Sequence, residues 1–156
     1  MSRVHRILVA TDFSNDARTA LEGARSIAKG TSAQLEVIYV WQPPHGMPLK
    51  TKSHPGGKTL SDLARHEAAR RLRHFIYDGG HAGPAPRVEV GVPHEVIVTL
   101  AASERFDLIV MGAAGAGGNP SRVGSVTRRV LDSAPCPVLT LRSPAEPALR
   151  SRSKRA

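Results

Sequence analysis

Apolar residues along the chain form five short continuous runs separated by longer stretches with helical spacing. In the runs, such as the Ile-Leu-Val of residues 7–9, neighbouring positions are all apolar. Continuous runs of this length are typical of strands that are buried on both faces of a parallel sheet. We therefore predict five strands, over residues 4–10, 34–40, 87–90, 107–111 and 137–141.

Between the runs, apolar residues recur at intervals of three and four, which predicts four amphipathic helices. Ser14 is a favourable N-cap for the first helix, Asp16 suits its first turn, and Gly30 stands where its C-cap is expected. Pro93 begins the third helix and Pro135 ends the fourth. The expected apolar stripe of the fourth helix is Val123, Val126, Val130, Leu131 and Ala134. Alternating strands and helices predict a single α/β domain, with a parallel sheet covered by helices on both faces.

Two segments interrupt this alternation. Residues 42–58 contain four prolines and a Gly-Gly pair, which predicts a long irregular loop. Residues 143–156 contain four basic residues against one acidic residue and almost no apolar periodicity. We expect a domain over residues 1–142 and a basic, disordered tail over residues 143–156.

The net charge of +9 makes an anionic partner worth considering. Besides the tail, basic residues gather on one face of the second helix: Arg65, His66, Arg70, Arg71 and Arg73. A solvated helix face explains them, and an anionic surface bound there is the alternative. Aromatic residues, on which bases could stack, are not interleaved with the basic ones. We therefore expect no nucleic-acid partner.

Cysteine usage and hydropathy bear on the compartment. Cys136 is the single cysteine, so an intramolecular disulfide is impossible and nothing points to an oxidising compartment. No apolar run approaches the ~20 residues that a transmembrane helix requires. These features predict a soluble, cytoplasmic protein with no membrane partner.

Residues 111–126, MGAAGAGGNPSRVGSV, place five glycines between the fourth strand and the fourth helix. Open parallel sheets bind ligands beyond the carboxyl ends of their strands. A glycine-rich turn there lets the backbone approach a ligand, and the N-terminus of the following helix attracts phosphate. Gly124 and Ser125 stand where that helix begins. A flexible joint is the alternative, because the spacing matches neither common phosphate-binding motif.

Other candidates for chemistry are few. Asp12, at the end of the first strand, suits contact with a ribose hydroxyl or a nucleotide-bound metal, and it suits a turn before the first helix equally well. His94 and Glu95 resemble the start of a zinc H-E-x-x-H motif, but Val98 stands where the second histidine is needed. No serine can be paired with a histidine and an aspartate. We expect no catalytic residues and no resident metal site.

Two segments resemble the universal stress protein family. RILVATDFSNDARTALEGARSIA, residues 6–28, is similar to the family's first strand and helix, including the aspartate after the strand, here Asp12. FDLIVMGAAGAGGNPSRVGSVTRRVLDSAPCPVLTLR, residues 106–142, resembles the family's glycine loop and last strand. The resemblance implies a Rossmann-like sheet of five parallel strands in the order 3-2-1-4-5. It also implies a homodimer formed along the last strand, from Val138 to Leu141.

One branch of the family binds ATP through the pattern G-x2-G-x9-G-[S/T], which falls here on Gly112, Gly115, Gly124 and Ser125. The resemblance implies that adenine and ribose lie near Ala10, Asp12 and Val40, beside Met111. It implies that the phosphates lie along Gly115, Gly124, Ser125 and Val126, with Mg²⁺ accompanying ATP. This chain has eight residues between Gly115 and Gly124 where the pattern has nine. Ala114 and Ala116 also stand where family loops often carry a histidine and a basic residue.

The resemblance thus implies an ATP-binding regulatory protein of the stress response. Such a protein acts as a nucleotide-dependent switch, with at most slow ATP hydrolysis or self-phosphorylation. The other branch of the family lacks the pattern and does not bind ATP. A nucleotide-free dimeric module that engages an unidentified protein partner is therefore the alternative, and the shortened loop would then be only a linker.

Overall fold

The computed structural model describes residues 3–47, 57–78, 80, 83–119 and 121–144, and strands and helices alternate along this part of the chain. Their order is β1 (Arg6–Ala10), α1 (Asn15–Thr31), β2 (Gln34–Trp41), α2 (Leu60–Tyr77), β3 (Ala85–Val90), α3 (Pro93–Ser103), β4 (Leu108–Gly112), α4 (Ser125–Ser133) and β5 (Val138–Leu141). All five predicted strands and all four predicted helices are present, which confirms the α/β class.

The strands form one parallel sheet in the order β3-β2-β1-β4-β5, and this confirms the order that the resemblance implies. At the centre, Ala10 of β1 is paired with Ile38 of β2 on one side and with Met111 of β4 on the other. The carboxyl ends of these three strands therefore meet at the same edge of the sheet. The strand order reverses between β1 and β4, where open α/β sheets hold their ligands.

Helices cover both faces of the sheet. Ile7 and Val9 of β1 belong to the apolar cluster that includes α1 and α2, whereas Leu8 belongs to the cluster that includes α3 and α4. All three residues are fully buried. Because side chains alternate across a strand, a strand buried on both faces must be apolar at every position, as the continuous runs indicate.

Two local predictions were wrong. Gly30 is not the C-cap of α1: the helix continues through Thr31, and Ser32 is its C-cap, in a left-handed conformation with φ of 60°. The apolar stripe of α4 is also narrower than predicted. Val123 lies before the helix and is 38% exposed, and Leu131 is 47% exposed. Of the predicted stripe, Val130 is buried, and Val126 and Ala134 are partly buried against the same apolar cluster.

The two irregular segments are described in part. Residues 42–47 follow β2 without helix or strand, and the predicted loop from 48 to 56 lies outside the described residues. Residues 145–156 of the predicted tail also lie outside them. The first tail residue, Ser143, donates two hydrogen bonds to Asp16, from its N–H at 2.8 Å and from its hydroxyl at 2.7 Å. The domain boundary at residue 142 stays a prediction.

Candidate functional site

A cleft lies at the switch point between β1 and β4 and extends to the start of α4. Its empty volume, including the open mouth, is about 680 Å³. It is lined by all nine residues that the sequence analysis selected: Ala10, Asp12, Val40, Met111, Gly112, Gly115, Gly124, Ser125 and Val126. The fold therefore brings together residues from four separate parts of the chain.

The floor of the cleft is apolar. Ala10, Val40 and Met111 come from the ends of three adjacent strands and are nearly fully buried. Pro93 and Ile97 of α3 add to the lining, and sequence reasoning missed both. The sequence could have indicated these two lining residues, because Pro93 begins α3, the helix that follows β3 at the same edge of the sheet. This floor suits a flat, weakly polar group such as a nucleobase.

Asp12 ties the end of β1 to the glycine-rich segment. One carboxylate oxygen accepts a hydrogen bond from the N–H of Ser14 at 3.0 Å, and the other accepts from the N–H of Ala116 at 2.9 Å. The first contact is the turn role that the sequence allowed, and the second reaches across the fold. A carboxylate oxygen has two lone pairs, so each can accept a further hydrogen bond from a ligand hydroxyl. Asp12 is exposed, which leaves those positions accessible.

Gly115 and Gly124 lie side by side at the mouth of the cleft. A Cβ built on Gly124 would come within 3.4 Å of the Gly115 nitrogen, and one on Gly115 would come within 2.9 Å of the Asp12 carboxylate. The Gly118 N–H donates to the Gly115 carbonyl at 3.0 Å, across a turn in which Gly117 has a φ of 77°. The segment thus closes on itself with eight intervening residues, one fewer than the family pattern.

At Gly112, a glycine is required by the packing of β4 against α1. A Cβ on this residue would lie 2.9 Å from the backbone nitrogen of Ala17 and from two atoms of Asp16. Both neighbours belong to the first turn of α1. Gly112 therefore allows β4 and α1 to pack closely, although it also lines the cleft.

The N-terminus of α4 faces the cleft. Gly124 is its N-cap, and no side-chain cap hydrogen bond is present in the part of the chain described. The first turn is fixed by two other contacts: the Gly124 N–H donates to Ala113 at 2.8 Å, and the Thr127 hydroxyl donates to the Gly112 carbonyl at 2.9 Å. The N–H groups of a helix's first turn lack intrahelical partners and carry a partial positive charge. Ser125 adds an exposed hydroxyl beside them.

Asp16 is buried and supports the glycine-rich segment through hydrogen bonds. From the sequence, it was assigned only a role in the first turn of α1. Its carboxylate accepts the Ala114 N–H at 3.0 Å and the two hydrogen bonds from Ser143. Burial by itself would raise the pKa of Asp16, but these hydrogen bonds and the nearby charge of Arg142 outweigh it and lower the pKa below its ordinary value. Its burial could have been predicted from the sequence, because Asp16 lies four residues before Ala20 on the buried stripe of α1.

Other sequence-level candidates stay apart from the cleft. Within the described residues, no three histidine, cysteine or acidic side chains are grouped closely enough to hold a metal ion. Cys136 is half-buried, and its burial, followed by the charge of Asp107, raises the pKa of its thiol. None of the helices in the described part of the chain is both long and apolar enough to span a membrane. The cytoplasmic location stays a prediction.

An open parallel sheet of order 3-2-1-4-5, with a glycine-lined cleft at its switch point, defines a Rossmann-like α/β protein. Comparison with known proteins makes this more specific. The model of the universal stress protein family matches residues 3–142, and the chain belongs to this family.

Relatives of known sequence and structure agree. A universal stress protein of Methanocaldococcus jannaschii is 33% identical over 144 residues, which cover 89% of this chain and 82% of the relative. The structure of the universal stress protein UspA from Lactobacillus plantarum is 28% identical, with a TM-score of 0.68, and covers 91% of this chain and 100% of its own. A universal stress protein of Archaeoglobus fulgidus, solved in complex with dAMP, is 25% identical with a TM-score of 0.62, over 90% and 100% of the two chains.

Proposed function

We propose that this stress-response protein binds ATP in the cleft between β1 and β4 and acts as a nucleotide-dependent regulator. The observation that carries the proposal is a cleft with an apolar floor at one end and the start of α4 at the other, where no side chain of the described residues caps the helix. A nucleotide has the same polarity, with a flat base at one end and phosphate at the other. The Archaeoglobus fulgidus relative in complex with dAMP supports a ligand that contains adenine.

Each part of the cleft has a separate role in this proposal. Ala10, Val40 and Met111 would hold the base by apolar contact, and Asp12 would accept a hydrogen bond from a ribose hydroxyl. The backbone N–H groups of Gly115, Ser125 and Val126 and the hydroxyl of Ser125 would hold the phosphates beside Gly124, since no side chain fills the space between the two glycines. Bound ATP with Mg²⁺ would supply the negative charge that the N-terminus of α4 attracts.

Regulation follows from the contacts that a ligand would share. Asp12 already holds the segment after β4, and α4 begins where that segment ends. A ligand that contacts Asp12 and the start of α4 would link β1, the segment after β4 and α4. The relative free energies of the conformations of these three parts would then differ between the bound and the free protein. In the described lining Asp12 is the single acidic residue, and its oxygens already accept two backbone hydrogen bonds. We therefore propose at most slow hydrolysis or self-phosphorylation.

A nucleotide-free interaction module is the second candidate, and one observation favours it. No lysine, arginine or histidine is present in the described lining of the cleft. Phosphates would therefore rely on backbone groups and one hydroxyl, without the charge-assisted hydrogen bonds that are worth about 1.5–3 kcal/mol each. If the contacts from the backbone groups and the hydroxyl are too weak to hold phosphate, the cleft would not bind nucleotide. The function would then depend on an unidentified protein partner.

We also propose a homodimer formed through β5. This strand is at the edge of the sheet, and the carbonyls of Pro137 and Leu141 face β4, where they accept hydrogen bonds. Backbone groups alternate along a strand, so Val138 and Thr140 present theirs to the open edge, where a second copy can pair. Thr140→Pro removes one edge donor and leaves the β4 pairing intact. Light scattering should report a dimer for the unaltered protein and a monomer for the variant; a monomer for both refutes the proposal.

The proposed ligand is tested by thermal unfolding of the protein with millimolar ATP, AMP or GTP, each with Mg²⁺. A ligand at 100 times its dissociation constant stabilises by about 2.7 kcal/mol, which raises Tm by several degrees for a chain of this length. A shift with ATP and AMP that exceeds the shift with GTP supports adenine nucleotide binding. No shift with any of the three refutes it and favours the nucleotide-free module.

A further inference from the structure

A second groove lies between α1 and α2, on the side of the sheet opposite to α3 and α4. Its empty volume, including the open mouth, is about 830 Å³. It is lined by Phe13, Arg18, Arg70, Arg71, His74 and Phe75. None of these residues lines the cleft at the β1–β4 switch point. The groove includes part of the basic face of α2, for which the sequence left two interpretations open, a solvated surface or contact with an anionic surface.

Two of the arginines are held in place by aromatic rings. The guanidinium of Arg18 lies 4.4 Å from the ring centre of Phe75, and that of Arg71 lies 4.6 Å from the ring centre of Phe13. The two rings contact each other edge to face, with centres 5.6 Å apart. Arg18 also donates a hydrogen bond to the Phe75 carbonyl at 3.1 Å. Stacking fixes the plane of a guanidinium while its N–H groups stay directed outward, which favours bidentate contact with phosphate.

The positive charge of the groove is only partly neutralised. Glu67 accepts two hydrogen bonds from Arg70, at 3.0 and 2.8 Å, and so offsets that charge. Across the described residues, neither Arg18 nor Arg71 makes a salt bridge, and no carboxylate lines the groove. The Arg18 and Arg71 side chains line the same groove, so an anion placed between them is attracted by both.

The backbone of Phe13 supports the same interpretation. Its φ is 67°, in the left-handed region that a phenylalanine rarely adopts. The Phe13 N–H donates to the Thr11 hydroxyl at 3.0 Å, and the ring also packs against Tyr39, with centres 4.6 Å apart. This conformation places the ring beneath Arg71. Unfavourable backbone conformations are often found at ligand sites, where the surrounding structure maintains them.

We propose that the groove binds a phosphate-bearing small molecule with two or more negative charges, at a site separate from the nucleotide cleft. Arg18 and Arg71 provide the two guanidiniums, and His74 adds a ring N–H donor at the edge of the groove. The binding is electrostatic and involves no covalent step. It does not depend on whether the cleft holds ATP.

Inorganic pyrophosphate is the probe, titrated into the protein at low ionic strength and followed by NMR of the arginine Nε–H groups and by calorimetry. The Nε–H signals of Arg18 and Arg71 should move. Arg71→Gln should weaken binding by about tenfold or more, as expected for loss of a charge-assisted hydrogen bond. Arg73→Gln removes the same charge from the same helix outside the groove, and it should weaken binding by much less.

Three results would overturn the proposal: no binding at millimolar pyrophosphate, equal affinity for the Arg71→Gln and unaltered proteins, or equal losses in the Arg71→Gln and Arg73→Gln variants. Arg18→Gln is a weaker test, because Arg18 also bonds to Phe75 and the variant can be less stable. The Gly115→Val protein separates the two sites, because its groove should bind pyrophosphate with unchanged affinity even where ATP no longer binds. Loss of pyrophosphate binding in that variant would assign the anion to the cleft instead.

Discussion

The carboxylate of Asp12 accepts a hydrogen bond from the backbone N–H of Ala116, 104 residues further along the chain, at 2.9 Å. Its other oxygen accepts from Ser14 at the start of α1. One exposed side chain therefore positions both the β1–α1 turn and the glycine-rich segment. Asp12 has this positioning role even without a ligand, in addition to the ribose contact that we propose.

Replacing Asp12 with Ala should weaken ATP binding more than it weakens the fold. The variant loses the proposed ribose contact and the hydrogen bond that holds Ala116, so we expect affinity to fall by about tenfold or more. The free energy of unfolding should fall by only about 1 kcal/mol, because the lost hydrogen bonds are exposed to water. Calorimetry and urea unfolding measure the two effects. Asp132→Ala, which removes an exposed carboxylate of α4, is the control, and equal ATP affinity in both variants would contradict the assignment.

Replacing Gly115 with Val should abolish ATP binding and leave the sheet intact. Even a Cβ at this position would lie 2.9 Å from the Asp12 carboxylate, and the larger side chain would fill the space beside Gly124. Gly30→Ala is the control, because Gly30 lies in α1 with open space around it. That change should stabilise the protein by up to about 1 kcal/mol without affecting ATP binding. Thermal shift with ATP distinguishes the two, and a normal ATP shift in the Val variant would remove Gly115 from the site.

Replacing Ser125 with Ala tests where the phosphates lie. The Ser125 hydroxyl is at the first position of α4, so its loss should reduce affinity for ATP by about tenfold. Affinity for adenosine, which has no phosphate, should not change. Ser133→Ala removes a hydroxyl at the other end of the same helix, where it bonds to Arg129, and should affect neither ligand. Equal losses for ATP and adenosine would place Ser125 near the base or ribose instead.

Replacing Asp16 with Asn should destabilise the protein in a pH-dependent way. The amide puts an NH₂ group against a backbone donor, either Ala114 or Ser143, at an expected cost of about 1–3 kcal/mol near neutral pH. Because the pKa of Asp16 is lowered below 3.8 by folding, its carboxylate stabilises the fold above that pH. This contribution is lost as the pH falls through the folded-state pKa.

Urea unfolding of the Asp16→Asn and unaltered proteins from pH 7 to pH 3 measures this effect. The difference in free energy of unfolding should be constant down to about pH 5 and should shrink below about pH 4. Asp132→Asn is the control and should show no such trend. A difference that stays constant across the whole range would show that the charge of Asp16 is not what stabilises the segment.

Replacing Gly112 with Ala should destabilise the ligand-free protein. The added methyl group would press on backbone atoms of Ala17 and Asp16, which can move only if α1 shifts. Overpacking of this kind costs about 1–3 kcal/mol, and Tm falls by roughly 2–4 °C per kcal/mol at this chain length. Differential scanning calorimetry without nucleotide measures the change. An unchanged Tm would show that the packing of β4 against α1 tolerates a side chain.

The sequence predicted the strands and helices from local patterns, whereas the strand order and most of the cleft residues were implied by the resemblance to the family. A run such as residues 7–9 is typical of a strand buried on both faces, and parallel strands bring their carboxyl ends together. The role of Asp16 was not predictable in this way, because its contact with Ser143 spans 127 residues and requires β5 to end beside α1. At the end of α1, Gly30 stays within the helix and Ser32 adopts the left-handed C-cap conformation, so the position of the glycine did not locate the helix end.

The packing of Gly112 against α1 bears on how glycine patterns are used to classify relatives. A homologue that had lost nucleotide binding would still need a glycine at this position, because a side chain there collides with the first turn of α1 whether or not a ligand is present. A Cβ on Gly115 or Gly124 would make no such contact with α1. The diagnostic value of the pattern therefore rests on its second and third glycines, and its first glycine identifies the fold alone.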